Sequence, residues 1–171
     1  MPIIKTVRNK SPEFGQNCFL ADNCTVIGDV TMKDNCSIWF NAVVRGDVNS
    51  ITMGKNVNIQ DGAIVHCTYE KAATSIGDNV SIGHNAIVHG CTVESNVLVG
   101  MGAIVMDHAV LKSYCLIAAG AVVLEGTIVE SGAIYAGIPA KKVKMLEEKQ
   151  MKNLIEKTSK NYVKYASWFK D

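Results

Sequence analysis

Proline is scarce at three residues, aromatic side chains make up only 6% of the chain, and charge nearly cancels at a formal +1. Balanced charge leaves no electrostatic footprint for a nucleic acid, so no nucleic-acid partner is expected. The longest apolar run, Cys115 to Leu124, is about half the length that a membrane-spanning helix requires, so no membrane partner is expected either. Met1 to Lys10 lacks the apolar stretch of a signal peptide, and a cytoplasmic protein is the expectation. The six cysteines include no C-x-x-C pair, so neither a zinc knot nor a disulfide framework is indicated. At 171 residues the chain fits a single domain, 1–171, with a sizeable core.

What is present is a six-residue period. Placing an apolar residue first in each hexad gives Leu20, Val26, Met32, Ile38 and Val44, then, after a short skip, Met53, Ile59 and Val65. A second insertion follows before Ile76, Ile82 and Val88. One residue is then lost, and the frame runs unbroken from Val93 to Tyr135. Counted from each first residue, the fifth position is Ala, Val, Cys or Thr everywhere except Tyr69 and Pro139. Asn, Asp and Gly cluster between them, as turns require. This pattern predicts an all-β fold, a parallel β-helix in which three hexads make one triangular coil over about residues 12–140. Cys24, Cys36 and Cys115 take the small fifth position as compact hydrophobes, whereas Cys18, Cys67 and Cys91 fall outside it. From Lys141 to Lys170 the composition turns to Lys, Glu, Leu and Met. A loose stripe from Val143 to Phe169 predicts a C-terminal α-helix packed on the prism, with Pro139 where that helix begins.

Three of the four histidines hold special places in this frame. His66 follows Val65 and His89 follows Val88, three hexads on, so the two stack one strand spacing apart. Such a pair suits one metal ion with nitrogen distances of about 2.0–2.1 Å. His84, third in its hexad, lies on the preceding face and cannot reach that ion in its own chain. A neighbouring prism could supply it, so the ligand set predicts a homotrimer with metal sites shared between chains. Arg45 sits one coil before His66, and Asp61 one coil before His84. Arg45 is therefore expected to meet Asp61 across the junction, with Asp47 on the other side of the guanidinium. His108 has no such register.

These residues carry a resemblance. Arg45-Gly46-Asp47, Asn58-Ile59-Gln60-Asp61, His66, Ile82-Gly83-His84-Asn85 and Val88-His89-Gly90-Cys91 are similar to the signature of gamma-class carbonic anhydrases. The ending Tyr135-Ala-Gly-Ile-Pro-Ala-Lys141 is similar to that of their shorter bacterial members. The resemblance implies a left-handed helix and a Zn2+ site, with Fe2+ or Co2+ as alternatives, held by His66, His84 and His89. It implies a zinc-dependent lyase in which metal-bound hydroxide attacks CO2 to give bicarbonate. Gln60 and Asn58 would orient the reacting water, and Tyr135 would line the substrate pocket. The chain departs from the family at Val48 and Tyr69, where the founding enzyme carries glutamates, one of them its proton shuttle. Glu70 is near, and a weak activity is compatible with this departure. Three other readings stay open: a hexapeptide acyltransferase using acetyl-CoA with a histidine base, a thioesterase on the same scaffold, and a non-catalytic structural trimer.

Overall fold

The computed structural model describes residues 1–169. Its strands stack in register as a parallel β-helix, each first-position residue lying over the one a coil earlier. On the first face Leu20 pairs with Ile38, Ile38 with Ile59, Ile59 with Ile82, Ile82 with Val99, Val99 with Ile117 and Ile117 with Tyr135. The second face stacks Val26, Val44, Val65, Val88, Val105 and Val123. The third stacks Met32, Met53, Ile76, Val93, Leu111 and Val129. All of these are buried except Leu20, which is half-buried. The core is thus one continuous apolar column, aliphatic up to Tyr135, and burying each aliphatic side chain contributes roughly 1.5–3 kcal/mol. The corners use the left-handed backbone, with Asn35, Asn56, Asn79 and Asn96 at φ 57–59° and Gly102 and Gly120 at 66–67°. Asn and Gly are the residues that tolerate it.

Several expected boundaries move. Strand pairing begins earlier than residue 12, because Ile3, Ile4 and Lys5 already pair with Thr25, Val26 and Ile27. The small inward slot is fixed by the residue ahead of it, two places before each first position. At the irregular coils it is therefore filled by Ile51, Thr74 and Cys91, all buried, and not by Val48, Tyr69 and Thr92. Cys91 and Cys18 both belong to that slot, stacking on Ala109 and Cys36. Chain inserted between hexads loops outward and leaves the column intact.

The C-terminal segment is a second correction. Lys141–Met145 is a strand, antiparallel to Ala133–Ala136, and Pro139 lies in the reversal before it rather than at a helix start. The last rung of the first face would otherwise present an open row of backbone donors and acceptors. Helical structure starts at Glu148, passes through wider π-type turns at Met151–Glu156 and continues as Lys157–Ser167. The expected end at Lys170 lies outside the described residues. Ile155, Ser159 and Ala166 are buried, whereas Val143 and Leu154 of the expected stripe are exposed. The helix docks on the first face, the Tyr162 ring standing edge-on to Trp39 at 5.3 Å. It covers a polar ladder: Trp39 Nε1 donates to Ser37 Oγ at 2.9 Å, and Asn58 Nδ2 to Ser81 Oγ at 2.8 Å. Among the described residues no helix is long and apolar enough to cross a membrane.

Candidate metal centre

The strand register that stacks Val65 on Val88 also stacks His66 on His89. His66 Nδ1 and His89 Nε2 face each other at 3.1 Å. Each ring is held from behind by a carboxylate: His66 Nε2 lies 3.0 Å from Asp47 Oδ1, and His89 Nδ1 lies 2.5 Å from Asp107 Oδ1. Burial pushes the carboxyl of Asp47 up. Hydrogen bonds from His66 and Arg45 outweigh it, so Asp47 stays below the usual carboxylate range. Asp107 is likewise pushed up by burial and brought below that range by hydrogen bonds from Thr68 and His89. Ionised carboxylates only accept, so the imidazole nitrogens facing them carry the protons. The two nitrogens facing each other then both present lone pairs.

Two lone pairs 3.1 Å apart repel unless a cation or a proton lies between them. Burial, the largest effect, lowers the pKa of His66 below its ordinary 6.5, with Asp47 opposing and Arg45 adding to the shift. A shared proton is thereby disfavoured. The separation is close to the roughly 3.3 Å between two ligands about 2.0–2.1 Å from one tetrahedral ion. The donor set thus fits a divalent metal, and the carboxylate behind each histidine is the arrangement that fixes tautomers in metal sites.

His84 follows the same plan on another edge. Its Nδ1 lies 2.8 Å from Asp61 Oδ2, and its Nε2 lies 3.4 Å from the Tyr162 hydroxyl. Burial pushes the Tyr162 phenol up to about 12, with the charge of Asp61 adding, so the hydroxyl stays a donor. All three candidate ligands therefore have one nitrogen tied to a carboxylate and the other left as a lone pair. His108 instead occupies a left-handed turn position at φ 58°. Among the described residues no three metal-binding side chains converge within one chain.

Gln60 and His84 border one cavity of about 340 Å3 beneath the terminal helix, with Leu98, Met101 and Tyr162 in its wall. Gln60 Nε2 donates to Asn58 Oδ1 at 2.9 Å, so the amide oxygen of Gln60 is oriented by a buried partner. Tyr135 is placed apart from them. It fills the first position of the last coil, 8% exposed, three rungs and about 14 Å below Ile82. The tyrosine beside a candidate ligand is Tyr162, which no repeat pattern could have located, because the docking of a helix is not written in the hexads. Asp107 was legible in principle, since it is third in its hexad one coil beyond His89. Arg45 pairs with Asp47 at 2.5 Å within its own chain, and Asp61 is engaged by His84.

Asp107→Asn tests the outer carboxylates. Asparagine can donate as well as accept, so it no longer dictates the His89 tautomer. Metal affinity is expected to fall about 10–100-fold, read by competition with a chromogenic chelator. An unchanged affinity would show that Asp107 plays no part in the site.

Known proteins resemble this chain over most of its length. The hexapeptide family described as "Bacterial transferase hexapeptide (six repeats)" matches residues 11–46. The chain is 40% identical over 168 residues to gamma carbonic anhydrase 2, mitochondrial, of Arabidopsis thaliana, covering 95% of this chain and 60% of that protein. It thus spans about three fifths of that relative's length. It is 36% identical over 168 residues to a carbonic anhydrase of Geobacillus kaustophilus, covering 98% of this chain and 91% of that one. A crystal structure of a hexapeptide transferase family protein from Anaplasma phagocytophilum superposes with a TM-score of 0.92 at 40% identity, covering 98% of both chains.

Proposed function

Because the chain belongs to the gamma carbonic anhydrase family, we propose that it is a homotrimeric metalloenzyme that interconverts carbon dioxide and bicarbonate. The observation that carries this reading is the set of three histidines, each with one nitrogen held by a carboxylate and the other left as a lone pair.

The outer surface of the second face supports the trimer. Val43, Ile64, Ile87, Ile104 and Val122 form an outward apolar ladder that is at most half-buried in a single chain. Asp61 and His84 stand at the edge where each strand of this face begins. Arg45, His66 and His89 stand where it ends. Three such faces around one axis bring the ending edge of each chain to the beginning edge of the next. That closure covers the apolar ladder and joins His66 and His89 of one chain to His84 of its neighbour. In the same register Arg45 approaches the neighbour's Asp61.

Zn2+, Fe2+ or Co2+ bound by these three histidines would supply a Lewis acid that makes hydroxide available from water near neutral pH. Around it the chain's own residues have defined tasks. Gln60, set by Asn58, presents an amide oxygen that accepts a hydrogen bond from the reacting water and so aims its lone pair. Tyr162 keeps its proton, so its hydroxyl, 3.4 Å from His84 Nε2, is a hydrogen-bond donor at the His84 side of the cavity. Leu98 and Met101 make the wall apolar, which suits a neutral linear gas. Val48 and Tyr69 put no carboxylate at the two positions where the founding enzyme carries glutamates, so turnover is expected to depend on external buffer. All six cysteines are free thiols, which suits a reducing compartment such as the cytoplasm.

Mixing two inactive variants tests whether the sites are shared. Neither His84→Ala nor His89→Ala trimers contain a complete site. Random mixed trimers of the two should restore about a quarter of the sites, wherever an intact His66–His89 pair meets an intact His84. Recovery of metal binding and of hydration on co-refolding is the expected result. Absence of recovery, with mixed trimers verified by mass, would show that the site is not built between chains.

A further inference from the structure

The N-terminal turn holds an arginine in a place that its backbone does not favour. Val7 and Lys10 bond each other's main chains in both directions at 3.0 Å, closing a two-residue hairpin. Both central residues are left-handed, Arg8 at φ 52° and Asn9 at φ 60°. Such turns favour Asn and Gly, because a longer side chain at positive φ crowds its own carbonyl. Residues kept in such conformations cluster where a side chain is required at one position. The Arg8 guanidinium lies over the Tyr69 ring, 5.6 Å from its centre, in the loop that follows His66.

The neighbouring cations are already matched. Lys10 pairs with Asp29 at 3.5 Å and Arg45 with Asp47 at 2.5 Å. Among the described residues no carboxylate pairs with Arg8. Beside it opens a cavity of about 210 Å3, lined by Arg8, Lys10, Asp29, Asp47, Val48 and Asn49 among others. Both acids in that lining are engaged by a cation, and Val48 adds no charge. Asp47 is also the residue that orients His66. The cavity therefore lies between an unmatched guanidinium and the back of the histidine pair.

We propose that Arg8 is a docking residue for a small oxyanion of the bicarbonate or short-carboxylate type at the margin of the histidine site. A guanidinium presents paired N–H groups that match the two oxygens of such an anion, and Tyr69 behind it fixes the plane of the fork. The space admits an anion of a few heavy atoms but not a nucleotide. Its place in catalysis, as the station of the product anion, rests on the carbonic anhydrase reading. Its binding of the anion does not.

The test is a titration of 13C-labelled bicarbonate, followed by carbon NMR relaxation, against metal-loaded and metal-stripped protein. Arg8→Gln is expected to raise the dissociation constant about tenfold in both forms, with Arg8→Lys recovering part of the loss because charge remains without the fork. Metal content and melting temperature should not change. In the loaded protein, inhibition of hydration by added bicarbonate should weaken by the same factor. Equal affinity in wild type and Arg8→Gln would overturn the proposal. So would binding that vanishes on metal removal, since the metal would then be its only site. If wild type fails to hydrate carbon dioxide yet keeps Arg8-dependent binding, the activity reading falls and the docking site stands.

Discussion

His89→Ala is expected to weaken metal retention by at least about a hundredfold, and carbon dioxide hydration is expected to disappear with it. His89 supplies one of the two lone pairs that face each other at 3.1 Å, and no other side chain can take its place in that rung. Loss of a ligand costs more than loss of the carboxylate behind it, so this variant should fall well below Asp107→Asn. The measurement is metal content by plasma mass spectrometry together with stopped-flow hydration, on anaerobically purified protein. His108→Ala is the control and should match wild type in both. If His89→Ala keeps its full complement of metal, the proposed site is wrong. If wild type holds metal but does not hydrate carbon dioxide, the trimer and its site stand, and the thioesterase and structural readings move ahead.

The second large effect concerns the scaffold. Gly28 has φ +77°, and a Cβ built on it would lie 2.4 Å from the carbonyl oxygen of Gly46 and 2.8 Å from its carbon. Both contacts are with backbone, so no side chain can swing away. Gly46 belongs to the segment that carries Arg45 and Asp47. Gly28→Ala is expected to destabilise the fold by about 2–5 kcal/mol, combining the left-handed penalty with a rigid overlap. Gly102 has a similar φ of +66° but nothing within 4 Å of its would-be Cβ. Gly102→Ala should therefore cost only the conformational part, about 1–2 kcal/mol. Urea unfolding of the two variants separates the effects. Equal midpoints would show that the close approach of Gly28 and Gly46 relaxes freely. Weaker metal binding in Gly28→Ala at temperatures where it remains folded would show that the shift reaches Asp47.

How the two halves of the site became visible differs. The pairing of His66 with His89 follows from counting, because parallel strands in a coil repeat at fixed intervals and a residue after Val65 must stack on a residue after Val88. His84 falls on another edge by the same arithmetic. Counting failed where chain was inserted or lost. Ile51, Thr74 and Cys91 fill the slots that the frame assigned to Val48, Tyr69 and Thr92, since a solenoid keeps its column and lets the excess bulge outward. Counting also says nothing about side-chain direction within a rung. It placed Asp47 beside Arg45, but not under His66 as well.

The apolar period, the three coil faces, the stacked histidines and the isolation of His84 were determined by the sequence alone, because in a β-helix the contact partner of each residue is a fixed distance along the chain. The tertiary structure alone decided what lies outside that period. It turned Lys141–Met145 into an antiparallel strand closing the last rung, and it laid the terminal helix over Asn58 and Gln60. It also brought Tyr162 to His84 while leaving Tyr135 in the column. These contacts join segments with no common repeat, so their partners are chosen by packing and hydrogen-bond satisfaction in three dimensions.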